Sequence, residues 1–288
     1  MRRCIICAWT ALLLALHLVV ASGCGSDRGE STQKEPVVDR AEQQRVRRFW
    51  NNYRDATRLR KQGAYDSARA AYTKALLDNK MHADALYNLG NVNLELGSWE
   101  EAEASWRRLV EVDSTSLRAY AQLGHLFLCR PDIPLFDVDK AREAFAHIHK
   151  HNPEEIGPAL RLGETALIEG RFDRASEYFD MVLGTDDKNL EAVFLKAYLA
   201  WRRGSAREGF ALLGDAIRFL TQDSLSQLPG EGDTRTGSAP ALARSAGCPL
   251  FDPLVDSLSA FSGVLSPERA NVYFERLDEV LSGLRARG

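Results

Sequence analysis

The sequence is poor in long apolar runs, and the stretch from Ala11 to Val20 falls well short of the roughly 20 residues that a bilayer-spanning helix needs. It has no phosphate loop, no nucleophile elbow and no zincin motif, and its scattered acids read as solvated helix faces, so no catalytic constellation is expected and no cofactor. Strong charge of one sign is missing too. The formal net charge is -3, and loss of Arg2 and Arg3 with an N-terminal leader takes it to -5. Nothing in that balance suggests nucleic acid or a strongly basic membrane surface. Cysteine is sparse, with five in 288 residues.

The short apolar run still has a use. Two arginines precede it and Ala21-Ser22-Gly23-Cys24 closes it, which is the plan of a secretory signal over residues 1–23. Small residues before a cysteine resemble a bacterial lipobox, in which Cys24 becomes the acylated first residue of the mature chain. Cleavage near Ala21 without lipid is the alternative. Residues 24–38 are polar and charged without periodicity, as a tether between membrane and domain would be. By the same resemblance Gly25, where an Asp retains enterobacterial lipoproteins in the inner membrane, points to the outer membrane.

What the sequence has in abundance is recurrence. Ala68 and Ala102, Leu89 and Leu123, Gly90 and Gly124, and Tyr72 and Trp106 each lie 34 residues apart. Ala83 to Ser116 shows the pattern best, with Leu86, Leu89, Gly90, Gly97, Trp99, Ala102 and Trp106 in register. Upstream, Gly63, Tyr65, Ala68, Tyr72 and Ala75 give a second helix, but Asp55-Ala56 replaces the Leu-Gly of the first. Downstream, Tyr120, Leu123, Gly124 and Phe127 lead to Ala141, Phe145, Ile148 and Pro153 after an insertion. Leu162, Gly163, Gly170, Phe172, Ala175 and Phe179 make a fourth unit, and Ala197, Gly204, Gly209, Leu213 and Ala216 a weaker fifth. This pattern resembles the tetratricopeptide repeat (TPR) family. The resemblance implies an all-α fold, a right-handed solenoid of about five helix-turn-helix repeats over 39–220. Small residues sit where backbones approach, and aromatics fill the wedges between hairpins.

TPR proteins bind partners on a concave surface lined by the first helix of each repeat. Carried over position by position, the resemblance names Trp50 and Tyr53, then Tyr87, Asn91 and Leu94, then Arg118 and His125, then Leu160 and Glu164, and last Phe194, Tyr198 and Trp201. The final three form an aromatic stripe that either receives an extended or apolar peptide or is covered by the chain's own C-terminus. A carboxylate clamp is not expected: Asn88 and Arg118 fit, but Tyr53, Thr57 and Gln122 stand in its other places. The insertion Arg130 to Asp137 carries Ile133, Leu135 and Phe136, which should pack on the solenoid edge, the alternative being contact with a partner. His147, His149 and His151 alternate near a helix end. His147 and His151 could share a face, but a third ligand is missing, so no metal is expected.

Residues 221–251 are rich in Gly, Pro, Ser and Thr and read as an irregular linker. Helix starts at Asp252-Pro253 and Ser266-Pro267 predict a C-terminal helical hairpin over 252–288, whose second member aligns Ala270, Phe274, Leu277, Leu281 and Leu284. Cys129 and Cys248, the two cysteines beyond the lipobox, either pair into a disulfide that staples this region to the solenoid or remain separate thiols. The expected function is a non-enzymatic, lipid-anchored scaffold or assembly factor of the bacterial cell envelope, facing the periplasm and holding an envelope protein or peptide. An adaptor that recruits envelope enzymes is the alternative, and a metal-binding protein a more distant one.

Overall fold

A computed structural model describes residues 39–130, 132–214 and 267–287. Among them lie α1 (Arg40–Lys61), α2 (Tyr65–Asp78), α3 (Ala83–Glu95), α4 (Trp99–Val112), α5 (Leu117–Leu128), α6 (Val138–His151), α7 (Ile156–Ile168), α8 (Phe172–Thr185), α9 (Leu190–Arg202) and α10 (Pro267–Arg285). A further helical segment runs over 206–214. No strand occurs among the described residues. The predicted first member of the C-terminal hairpin, the linker and the leader lie outside them.

Local chemistry sets the ends of these helices. His82 Nδ1, Asp137 Oδ1 and Asn189 Oδ1 accept from the amides of Ala85, Lys140 and Ala192 at 3.3, 2.9 and 3.0 Å, each satisfying a free donor of a first turn. The turns inside the hairpins need a left-handed residue, and Gly63, Gly97, Gly170 and Gly204 supply it with φ between 71 and 85°. The third repeat has no glycine in that register and uses the insertion instead. There Asp137 N donates to Phe127 O at 3.0 Å, Ile133 is buried, and Leu135 and Phe136 pack half-buried on the core.

From α2 to α9 each helix packs on the next, and one contact recurs along the stack. A Cβ added to Gly90 would stand 2.3 Å from Trp106, one on Gly124 would stand 2.7 Å from Phe145, and one on Gly163 would stand 2.3 Å from Phe179. The helix backbones therefore approach across an aromatic ring that leaves no room for a methyl group. In the fifth repeat Ala197 takes the glycine register and Leu213 the aromatic one, and both are fully buried, so a larger residue on one side accompanies a smaller one on the other. Two apolar clusters result. One joins α1 to the start of α5, and the other runs from α4 through α9 and includes Phe274, Leu277, Leu281 and Leu284 of α10.

The position of α10 decides which part of the concave surface is open. It packs against α7, and its Phe274 ring meets those of Phe194, Tyr198 and Trp201 at 6.2, 6.4 and 5.5 Å. Polar contacts fix its register: Tyr198 OH donates to Asp278 at 2.6 Å, Trp201 Nε1 donates to Asn271 at 2.9 Å, Arg202 pairs with Asp278, and Arg285 Nε donates to Ile168 O at 2.8 Å. With α6, α8 and α10 packed around it, α7 is buried on every side from Pro158 to Ile168. This corrects part of the sequence reading. Leu160, Glu164, Phe194 and Tyr198 occupy concave positions but are buried, and Trp201 is half-buried beneath α10, so these five residues line no open groove.

Candidate functional site

The open concave surface is carried by α1, α3 and α5. The expected lining residues Tyr53, Tyr87, Asn91, Leu94, Arg118 and His125 lie on these three helices and each retains contact with solvent, while Trp50, also exposed on α1, borders a hollow with Leu77 and Met81 at the amino end of the stack instead. Sequence spacing brings them together because residues in the same register of successive repeats stack one above another.

Two hydrogen bonds make a ladder that sequence reasoning missed. Asn88 Nδ2 lies 3.5 Å from Tyr53 OH, and Gln122 Nε2 lies 3.3 Å from Tyr87 OH. Each tyrosine is thus held by an amide from the next repeat. The clue was present, since Tyr53 and Tyr87 share one register and Asn88 and Gln122 the following one, yet only contact geometry links the two. Arg118 bonds Asp84 at 2.6 Å and lies 4.7 Å above the Tyr87 ring, so the middle of the groove combines aromatic faces with one exposed guanidinium.

The ladder stops at the third repeat, where the tyrosine register holds Ala121. A cavity of about 280 Å³ opens there, lined among others by Arg118, Ala121, His125, Phe145, Pro158 and Arg161. That volume suits one or two side chains of a bound chain rather than a whole small-molecule ligand. Its wall is electrostatically committed. Arg161 donates to Glu164 at 2.5 Å and to Glu191 at 3.0 Å. Burial opposes charge on Arg161, but the two carboxylates raise its pKa. Glu164 is wholly buried, and burial, reinforced by Glu191, pushes its carboxyl well above the usual range against the pull of Arg161. His125 is pushed down to about 4, first by burial and then by the Arg161 charge, so at neutral pH it offers a neutral ring.

The other expected features are placed as follows. His147 and His151 stack at 4.3 Å, and His147 also stacks on Tyr120 at 3.8 Å. Their rings lie face to face instead of converging nitrogens on one point, and no group of three or more ligating side chains occurs among the described residues. Cys129 follows α5, is disulfide-bonded, and has its Sγ 3.5 Å from His125 Nδ1. Cys248 and Cys24 lie outside the described residues. No described helix is long and apolar enough to cross a membrane.

A stack of helical hairpins with glycine-aromatic contacts and a concave face lined by alternate helices defines a TPR solenoid, and the comparisons agree. A tetratricopeptide-repeat family model matches residues 53–122. Among solved structures the fold is similar to MamA, with a TM-score of 0.55 and 20% identity over 64% of this chain and 98% of that one. It is similar to a MamA from Desulfovibrio magneticus RS-1, with a TM-score of 0.55 and 11% identity over 61% of this chain and 96% of that one. It is also similar to YrrB, described as a TPR protein with an unusual peptide-binding site, with a TM-score of 0.51 and 20% identity over 58% of this chain and 84% of that one. At these identities the likeness establishes the fold alone. No curated protein matches the sequence.

Proposed function

We propose that this protein is a membrane-anchored TPR scaffold or assembly factor of the bacterial cell envelope, which holds a protein or peptide partner in the concave groove of its first three repeats. The observation that carries the reading is the division of the concave face. The chain's own α10 fills it at α7 and α9, while Tyr53, Tyr87, Asn91, Leu94, Arg118 and His125 remain accessible on α1, α3 and α5. Ring faces and amides with little net charge suit the backbone and apolar side chains of an extended or helical segment. The cavity at Ala121 suits an anchoring side chain. YrrB, described as having a peptide-binding site, lends support through a shared fold, as does the absence of a catalytic motif from the sequence. The lipobox-like Ala21-Ser22-Gly23-Cys24 supports the anchorage and the envelope location.

Photo-crosslinking in the native envelope tests this reading, with a photoreactive residue at Asn91 in the open groove. Ala121→Tyr fills the cavity with the residue that the ladder register holds in the two preceding repeats, and it should leave the fold intact. We expect one envelope protein to be captured through Asn91 and its capture to fall about tenfold or more in Ala121→Tyr, the loss of one anchor contact. Capture unaffected by the substitution would remove the groove from the reading. Palmitate labelling of wild type against Cys24→Ser tests the anchor separately, and equal labelling of the two would exclude Cys24 as the lipid site.

A further inference from the structure

Net charge conceals a strongly basic element. From Ala41 to Lys61, α1 carries seven arginines or lysines against Glu42 and Asp55, in a chain whose overall charge is -3. The same end of the solenoid concentrates exposed apolar surface. Of the six large hydrophobic side chains exposed among the described residues, four lie here: Val46 at 45%, Trp50 at 46%, Leu77 at 73% and Met81 at 66%. Val46 and Trp50 stand one helical turn apart on α1, and Leu77 and Met81 come from the end of α2 and the turn after it. Together they border a hollow of about 450 Å³ with Phe49 in its wall and two bases, Arg45 and Lys80, and two acids, Glu42 and Asp78, beside it.

Such surface is costly to leave in water, and its composition indicates what covers it. A patch of Trp, Val, Leu and Met with basic residues in excess around it has the amphipathic character of a surface that enters an anionic bilayer interface. Tryptophan favours the headgroup region, and each Arg or Lys near an anionic leaflet adds attraction. Around the hollow Arg45 and Arg48 are tied to acids, Glu42 and Asp78, and further along α1 Arg58 is tied to Asp55, while Arg47 and Lys80 form no ion pair among the described residues. Chain length agrees. The fifteen residues from Cys24 to Val38 span at most about 50 Å when fully extended, so an acylated Cys24 would keep α1 close to the bilayer.

We infer that the N-terminal end of the solenoid, centred on Val46, Trp50, Leu77 and Met81, docks onto an anionic lipid surface. The inference builds on the membrane anchorage proposed above but names a second, non-covalent contact. It would orient the groove relative to the bilayer instead of leaving it free on a tether.

The test uses the full mature chain from Cys24 with Cys24→Ser, which removes the lipid, and flotation with vesicles of pure phosphatidylglycerol or pure phosphatidylcholine. We expect binding to phosphatidylglycerol alone, weakening as salt is raised. The exposed double substitution Val46→Asp plus Met81→Asp should reduce it at least about tenfold without changing the helical circular dichroism signal, since neither side chain is in the core. Absence of binding to phosphatidylglycerol, or equal binding by the double variant, overturns the inference. So does a lipid-independent dimer, seen by sedimentation, that the double variant abolishes, because the patch then belongs to a second copy. The palmitate experiment on Cys24 has its own readout, so failure of the anchor and failure of the docking surface are told apart.

Discussion

His125 shows how one side chain can tie the groove to pH. It stays neutral in the folded chain down to about 4, whereas an unfolded histidine takes up its proton near the ordinary value of 6.5. Between those values the unfolded state binds more protons, so the contribution of His125 to stability is fully present above pH 6.5 and is lost as pH falls through the window. The difference amounts to about 3 kcal/mol. Urea unfolding of wild type and His125→Gln between pH 4 and 7 should show the two curves converging as pH falls, and parallel curves would mean that His125 titrates normally. Glu164 works in the opposite sense. A carboxyl with a raised pKa favours the folded state at low pH, so Glu164→Gln should be tolerated at neutral pH better than Glu164→Leu, which leaves Arg161 with one partner fewer.

At the scale of elements, α10 is the helix that changes the meaning of the others. Phe274, Leu277, Leu281 and Leu284 are buried against the solenoid, each worth roughly 2 kcal/mol of apolar transfer, offset by the entropy of ordering the helix. Asp278 joins Tyr198 and Arg202 at its centre, and burial together with that carboxylate raises the pKa of the Tyr198 phenol. Phe274→Asp should undock α10. The expected result is loss of amide hydrogen-exchange protection in α10 and α9 with protection of α3 and α4 unchanged, since each repeat depends mainly on its neighbours. Unchanged protection in α9 would show that α10 adds nothing to the last repeats. The sequence aligned these apolar residues on one face of a helix but left open whether the chain's own C-terminus or a bound peptide covers the aromatic stripe. One clue lay in α7 itself, where Pro158 to Ile168 offers no continuous polar face to water, the mark of a helix covered on all sides.

The described repeats form a linear stack whose two ends differ. Its amino end presents a basic helix and exposed apolar side chains, while its last repeats are covered by α10. The disulfide at Cys129 adds a long-range constraint to a fold otherwise held by neighbour contacts. Should its partner be Cys248, the closed loop of nearly 120 residues would restrict the unfolded chain by about 4 to 5 kcal/mol. Mass mapping of non-reduced peptides should then find Cys129 joined to Cys248, and reduction should lower the unfolding midpoint. A Cys129 peptide recovered as a free thiol would contradict both.

The sequence by itself determined the repeat unit, because packing helix pairs against copies of themselves imposes one spacing on Gly90, Gly124 and Gly163 and on the rings they face. It also determined the concave register, since equivalent positions must stack. Tertiary structure alone decided which of those positions face solvent. Phe194 shares its register with Tyr53 and Tyr87, and Tyr198 shares its own with Asn91 and His125, but a segment distant in sequence returns over both. It likewise gathered Val46, Trp50, Leu77 and Met81 into one patch, because residues separated by a helix and a turn become neighbours only when the hairpin closes. A repeat pattern records what each unit asks of its neighbours, and carries no record of what covers the stack from outside.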